Sequence, residues 1–226
     1  MTLFSSLAPV PAPAGIDLRL CDVREMLATV RGARLIVADP PWLYAREAGV
    51  ANPETNGIYD GLGESEIVAI LDLAYDSAAS DARLACWYTW PKDAEWTAAG
   101  GAGGRWGPRK TGGAWTKEPM PNAGVGYHWR GKTEPIAVFT RGATGRMGEC
   151  IYNGWISPPT GHSEKPAEWM RAWLRAWTEP GDLVVDVFAG LAPLARACLA
   201  EGRRYVGAEI GPERYDRALS LLARSP

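Results

Sequence analysis

The stretch 182-DLVVDVFAGLAPLARACLAEGRRYVGAEI-210 decides the fold. DLVVDVF (182–188) is a short apolar run of buried-strand type, with Asp186 and then Gly190 marking its end. LAPLARACLAEG follows with apolar residues at helical spacing and closes on Gly202. RRYVGAEI (203–210) reads as a second strand, and PERYDRALSLLAR as a helix with Pro212 suited to its first turn. Strand, helix and strand in this order form a parallel crossover unit. The same alternation extends upstream. IDLRLC (16–21), ARLIVAD (33–39), RLACWYTW (83–90) and AVFT (137–140) read as strands, and ESEIVAILDLAYDSA (64–78) as a helix. AEWMRAWLRAWT (167–178) spaces Trp169, Trp173 and Trp177 four apart, which places them on one helix face as core. The pattern predicts an α/β fold, a mostly parallel sheet with helices on both faces. A Pro/Ala-rich flexible tail (1–15) would precede a single domain (16–226).

Composition narrows the classes. The 226 residues are 46% hydrophobic and 22% charged, which is ordinary for a globular chain. The sequence lacks a long apolar run, and MTLFSSLAPVPAPAG lacks the charged-then-apolar order of a secretory signal. A cytoplasmic protein without membrane contact is expected. Cys21, Cys86, Cys150 and Cys198 are far apart and the only histidines are His128 and His162, so no zinc-ligand spacing exists, and no metal is expected. Charge is uneven. Residues 97–148 carry 8 basic and 2 acidic groups, against 7 and 14 before them and 9 and 10 after. This basic segment is rich in glycine and holds Trp106, Trp115, Tyr127 and Trp129. Positive charge interleaved with flat side chains suits a polyanion with stackable bases, and it equally suits a solvated surface loop.

In sheets of this kind ligands bind at the carboxyl ends of the strands, near a switch in strand order. Two strand ends stand out: 39-DPPW-42 and 186-DVFAG-190. A glycine turn lets backbone approach a ligand, and Glu209, at the end of the next strand, can accept hydrogen bonds from both hydroxyls of a ribose. Together they imply a nucleoside-containing cofactor. No G-x-G-x-x-G or G-x-x-x-x-G-K-[ST] is present, which disfavours a dinucleotide or a nucleoside triphosphate. S-adenosylmethionine fits better, having an adenosine for Glu209 and no phosphates.

These residues carry a resemblance. The blocks LCDVREML (20–27), VADPPW (37–42), ACWYTWP (85–91), GYHWRGKTEPIAVFTRG (126–142) and HSEKP (162–166) resemble, in order, the DPPW-motif amino-methyltransferases, the family of the messenger-RNA N6-adenosine methyltransferase and its bacterial and phage relatives. Residues 182–215 are similar to the cofactor segment of permuted DNA amino-methyltransferases, in which the catalytic motif likewise precedes the cofactor motif. The resemblance implies a Rossmann-like S-adenosylmethionine-dependent methyltransferase fold with permuted motif order.

It also implies roles. Asp39 and the Pro40 carbonyl would accept the two hydrogens of an exocyclic amine, with Pro41 fixing the backbone and Trp42 stacking on a flipped base. Asp22 and Val23 would lie against the cofactor adenine, Lys165 near its methionine carboxylate, and His162 and Ser163 beside it. A buried structural histidine is the alternative for His162. Asp186, Phe188, Ala189, Gly190 and Glu209 complete the cofactor set. Many relatives have Gly and Thr where this chain has Ala192 and Pro193, so backbone approach can differ there. An insertion at about 97–133 would bind nucleic acid through Arg105, Arg109, Lys110, Lys117, Tyr127, His128, Trp129, Arg130 and Lys132, with Glu134 satisfying a nearby backbone group or arginine. The expected reaction is methylation of the N6 amine of adenine in DNA ahead of RNA. Cytosine N4 is disfavoured because relatives acting there more often carry Ser in place of Asp39. The alternatives are an RNA adenosine methyltransferase and a silent nucleic-acid-binding subunit. A homodimer, or a heterodimer with a related subunit, is compatible with the chain.

Overall fold

The computed structural model describes residues 12–43, 61–93, 103–119, 132–145, 152–159 and 164–225. The strands are β1 (Ile16–Leu20), β2 (Ala33–Ala38), β3 (Ala78–Trp87), β4 (Thr111–Lys117), β5 (Thr133–Thr140), β6 (Gly154–Ser157), β7 (Leu183–Asp186) and β8 (Arg204–Glu209). The helices are α1 (Val23–Thr29), α2 (Glu64–Ser77), the short α3 (Gly103–Trp106), α4 (Ala167–Trp177), α5 (Pro193–Glu201) and α6 (Pro212–Leu222).

All eight strands join one sheet in the order β1-β8-β7-β2-β3-β5-β4-β6. The first five are parallel, β5 runs against both its neighbours, and β6 pairs parallel with β4. Strand side chains alternate between two cores, as a period of two requires. Ile36, Ala38, Leu84, Cys86 and Val185 meet α1 and α2 on one face. Leu35, Val37, Ala85, Trp87 and Val184 meet α4, α5 and α6 on the other. The tryptophan stripe of α4 lies in this second core, with Trp169 at 3% and Trp173 at 1% exposure.

Local chemistry explains the element ends. The Asp22 carboxylate caps α1 by accepting from the Arg24 N–H at 2.7 Å, and that of Glu66 accepts from Gly63 N–H at 3.3 Å to cap α2. Gly202 closes α5 in the left-handed conformation, with φ +69°. Among the described residues no helix is long and apolar enough to cross a membrane.

The basic middle segment departs from expectation. It contributes α3 and strand β4, and Trp106 and Trp115 are 2% and 1% exposed, so these two rings are core and offer nothing to a base. Trp106 donates its indole N–H to the Leu71 carbonyl at 2.8 Å. Glycine hid the strand: a Cβ at Gly113 would stand 2.5 Å from the Asn153 carbonyl oxygen, and one at Gly112 3.0 Å from that of Ile136. Close pairing, which requires residues of low strand propensity, masks the strand signal. β3 also starts at Ala78, directly after α2, and ends at Trp87, so Tyr88, Thr89 and Trp90 lie past the strand.

Candidate functional site

Strand order reverses between β7 and β2. From β7 the chain moves through α5 to β8 on one side, and from β2 through α2 to β3 on the other. This is the switch point at which such sheets open a crevice. The register puts Val37 opposite Asp186, and Val187 N–H bonds the Val37 carbonyl at 2.9 Å, so Asp39 follows just past Asp186 on the adjacent strand. Asp186 pairs with Gly207, two residues before Glu209, and Cys21 N–H bonds the Glu209 carbonyl at 3.2 Å. Asp22, Glu209, Asp186 and Asp39 therefore follow the carboxyl ends of four consecutive parallel strands.

The glycine turn is built for close approach. Gly190 has φ +54° and nothing within 4 Å of where a Cβ would stand, so its α-carbon faces open space. Its N–H donates to the Glu209 carboxylate at 2.9 Å, and Gly211 N–H donates to the other oxygen at 2.7 Å. Ala189 N–H bonds the Ala208 carbonyl at 2.9 Å and fixes the turn to β8, while Phe188 packs partly buried against the α1/α2 core. Ala192 takes a left-handed conformation, φ +52°, at the position where glycine was expected in relatives. Asp186 is 4% exposed and accepts from the Tyr205 hydroxyl at 3.1 Å. Burial pushes its carboxyl up to about 7, with Tyr205 pulling the other way and the Asp39 charge adding to the rise. Both Asp22 oxygens bond Arg24, and Val23 is buried at the start of α1.

At the end of β2, Pro40 is buried and the Pro41 carbonyl accepts from Leu62 N–H at 2.7 Å. Leu43 N–H returns the bond to Leu62 at 3.0 Å. These bonds pin the motif against the chain entering α2. Trp42 is 6% exposed and packs in the core with α1 and α2. The expected stacking of its ring on a base is not met in this conformation, because core packing claims the indole.

Lys165 is the centre of the site's charge. It is 7% exposed, bonds Asp39 at 2.6 Å and Glu134 at 3.1 Å, and lies 5.2 Å from the Trp87 ring centre. Glu134 also pairs with Lys117, so Asp39, Lys165, Glu134 and Lys117 form a ladder of alternating sign from β2 across β5 to β4. Burial alone would lower the Lys165 ammonium, but Asp39 and Glu134 hold it above its ordinary value. Glu134 is held below its ordinary value by Lys165 and Lys117 against the opposing effect of burial. Burial raises the Asp39 carboxyl against the pull of Lys165. With an ammonium at 2.6 Å that stays protonated, Asp39 serves as an acceptor. The expected arginine or backbone partner of Glu134 is thus replaced by two lysines. Sequence offered no signal for this, since Lys165 is 31 residues from Glu134 and reaches it only through folding.

The other basic candidates are dispersed. Arg105 bonds Asp76 at 2.6 Å and stacks 4.5 Å over Tyr75, which ties it to α2. Arg109 bonds Asp93 at 2.8 Å and stacks 5.0 Å over Tyr88, Lys132 pairs with Glu118, and Lys110 is exposed before β4. Tyr127, His128, Trp129, Arg130, His162 and Ser163 lie outside the described residues.

Known proteins share this architecture. Residues 151–220, less than half of the chain, match the N6/N4-methyltransferase family, described as DNA methylase. The Type II methyltransferase M.Cfr9I of Citrobacter freundii is 42% identical over 57 residues, which is 25% of this chain and 19% of that protein. The Type II methyltransferase M.XycI of Xanthomonas campestris pv. cyanopsidis is 35% identical over 98 residues, 42% of this chain and 31% of that protein. The chain thus spans less than a third of either relative in these matches. Among solved structures, the M1.HpyAVI–SAM complex superimposes with a TM-score of 0.69 at 15% identity, covering 92% of this chain and 98% of that one. The cytosine-N4-specific PvuII DNA methyltransferase gives 0.73 at 14%, covering 95% and 88%. The chain has the Rossmann-like, permuted fold of S-adenosylmethionine-dependent methyltransferases, the amino-methyltransferase fold related to bacterial DNA methyltransferases.

Proposed function

We propose that the chain is an S-adenosylmethionine-dependent methyltransferase of the DPPW type that modifies the N6 amine of adenine in DNA by direct transfer. The observation that carries this reading is the placement of Asp39 on the strand next to Asp186 and the open glycine turn, one strand from Glu209. The residues fit the cofactor. Open space at Gly190 admits a ligand to the backbone, and Glu209, though holding two N–H groups, keeps lone pairs for ribose hydroxyls. Asp22 and Val23 border the adenine end, with Asp186, Phe188 and Ala189 beneath. S-adenosylmethionine would supply a methyl electrophile on a sulfonium.

An adenine amine is a poor nucleophile because its lone pair is delocalised into the ring, so orientation is the main task. Lys165 holds Asp39 through Oδ2, which directs Oδ1 to accept one amine hydrogen. The Pro40 carbonyl, fixed by the proline pair, accepts the other. Both acceptors stabilise the positive charge that grows on the nitrogen, and the proton the methylated amine sheds would pass by way of the part-exposed Asp39 to water. In this reading Lys165 acts on Asp39 directly, which adds to the role near the cofactor carboxylate that the resemblance implies. The DNA methylase family match and the likeness to the PvuII DNA methyltransferase support DNA, and the Asp in place of Ser at position 39 supports adenine over cytosine. Asp39→Ala should lower methyl transfer by about 100-fold or more, the scale of losing one preorganised acceptor or donor at a developing charge. Its circular dichroism should stay that of the folded protein, with Tm lowered by a few degrees because Lys165 loses a partner, and unchanged turnover would sink the mechanism.

A further inference from the structure

We propose that the cleft beside Trp90 seats a nucleotide flanking the target base, with Trp90 as its stacking platform and Arg109 facing its phosphate. The proposal rests on the DNA methyltransferase reading above and names a substrate contact that Trp42 does not supply.

The cleft has a volume of about 550 Å³ and is lined by Tyr88, Trp90, Arg109, Gly112, Gly113 and Asn153, among others. Tyr88, Trp90 and Asp93 of its lining follow the carboxyl end of β3, as Asp39 follows that of β2. Ala38 pairs with Cys86, so Tyr88 lies level with Pro40 on the neighbouring strand's continuation. Adjacent strands are about 4.8 Å apart, so the Tyr88 end of the cleft lies beside the continuation of β2, and the β4 wall lies farther out, across β3 and β5. Trp90 is 56% exposed, a large exposure for an indole, yet it is held in place. Its N–H donates to the Thr133 hydroxyl at 3.0 Å, and its ring meets Tyr88 edge-on at 6.0 Å. A fixed, uncovered ring is preorganised for stacking, which loses little entropy on binding. β4 contributes the small residues Gly112, Gly113 and Ala114 to the wall of the cleft. Arg109 is oriented from two sides, by Asp93 at 2.8 Å and by the Tyr88 ring at 5.0 Å, and brings the planar cation that phosphate recognition uses. A small-molecule anion would need Arg109 but not an exposed indole; a nucleotide uses both.

The test uses a DNA duplex that the wild-type protein methylates, with 2-aminopurine in place of the base next to the modified one. Trp90→Ala should raise KM for DNA about 10-fold, within the range of a lost base–aromatic stack, and leave the dissociation constant for S-adenosylmethionine unchanged. Wild type should change the 2-aminopurine fluorescence on binding, and Trp90→Ala should abolish that change. Trp90→Phe keeps a stacking face while losing the bond to Thr133, and should recover KM to within about 3-fold of wild type. A Trp90→Ala enzyme with wild-type KM overturns the proposal. So does a Trp90→Phe enzyme as impaired as Trp90→Ala, which would make the Thr133 bond the residue's whole role. A wild-type protein that methylates no DNA refutes the underlying reading before any variant is compared.

Discussion

Replacing Lys165 with Met keeps an unbranched side chain one atom shorter and removes the charge that joins Asp39 to Glu134. Removing one partner of a buried ion pair costs about 3–5 kcal/mol, because the other charge stays without compensation. Here the side chains of Asp39 and Glu134 are 35% and 22% exposed, so water softens the penalty, and Lys117 remains beside Glu134. We expect a loss of about 2–3 kcal/mol, which for a domain of this size lowers Tm by roughly 4–12 °C. Glu134→Gln on the Lys165→Met background removes one of the stranded carboxylates, so the double variant should lose less than the sum of the singles. A coupling of about 1–3 kcal/mol is expected for residues in one network. Urea unfolding followed by tryptophan fluorescence measures all four corners of the cycle. Additivity within about 0.5 kcal/mol would refute the claim that Lys165 bridges the two carboxylates. The same substitution should move the acid limb of methyl transfer to higher pH, since Asp39 loses the charge that pulls its carboxyl down.

Other positions carry expectations of their own. Asp186 has its folded value raised to about 7, so its favourable contribution is complete below the unfolded value near 3.9 and is lost as pH rises through 7. Asp186→Asn should therefore melt higher than wild type at pH 8 and about equally near pH 4; equal differences at both pH values would contradict the burial argument. Gly113→Ala sets a Cβ 2.5 Å from the Asn153 carbonyl oxygen and should destabilise by about 1–3 kcal/mol, loosening β6 from β4 in hydrogen exchange, with a neutral result placing that pairing in error. Replacing Arg130 and Lys132 together by Ala should weaken DNA binding and reduce the log–log salt slope by about 0.9 for each phosphate that is no longer neutralised. An unchanged slope would move the DNA-binding surface elsewhere.

Much of the frame was legible because its punctuation is local. Asp186, Gly202 and Glu209 end elements within 24 residues, and the structure places each at the end expected of it, with Gly190 in the turn between β7 and α5. The acidic strand ends were readable for the same reason. What was hidden depends on partners distant in sequence. β4 holds Gly112 and Gly113, whose missing side chains serve the approach of Ile136 and Asn153, and nothing in TGGAWTK announces those neighbours. Trp106 and Trp115 looked like stacking residues because a tryptophan among cations and glycines gives no sign of depth. Trp42 illustrates the converse. Its motif marks the end of β2, yet packing against α1 and α2 buries the ring, while Trp90 presents an uncovered indole past the end of β3. The ladder from Asp39 to Lys117 is likewise a product of the fold, since its four members come from four separate segments.

The central claim is the chemistry at Asp39, and product identity tests it most directly. The protein would be incubated with labelled S-adenosylmethionine and mixed-sequence DNA or RNA, single- and double-stranded, followed by digestion and chromatography of the nucleosides. Label is expected in N6-methyldeoxyadenosine from DNA and absent in the Asp39→Ala reaction. Label in N4-methyldeoxycytidine, label confined to RNA, or no transfer from a protein that binds both cofactor and DNA would contradict it.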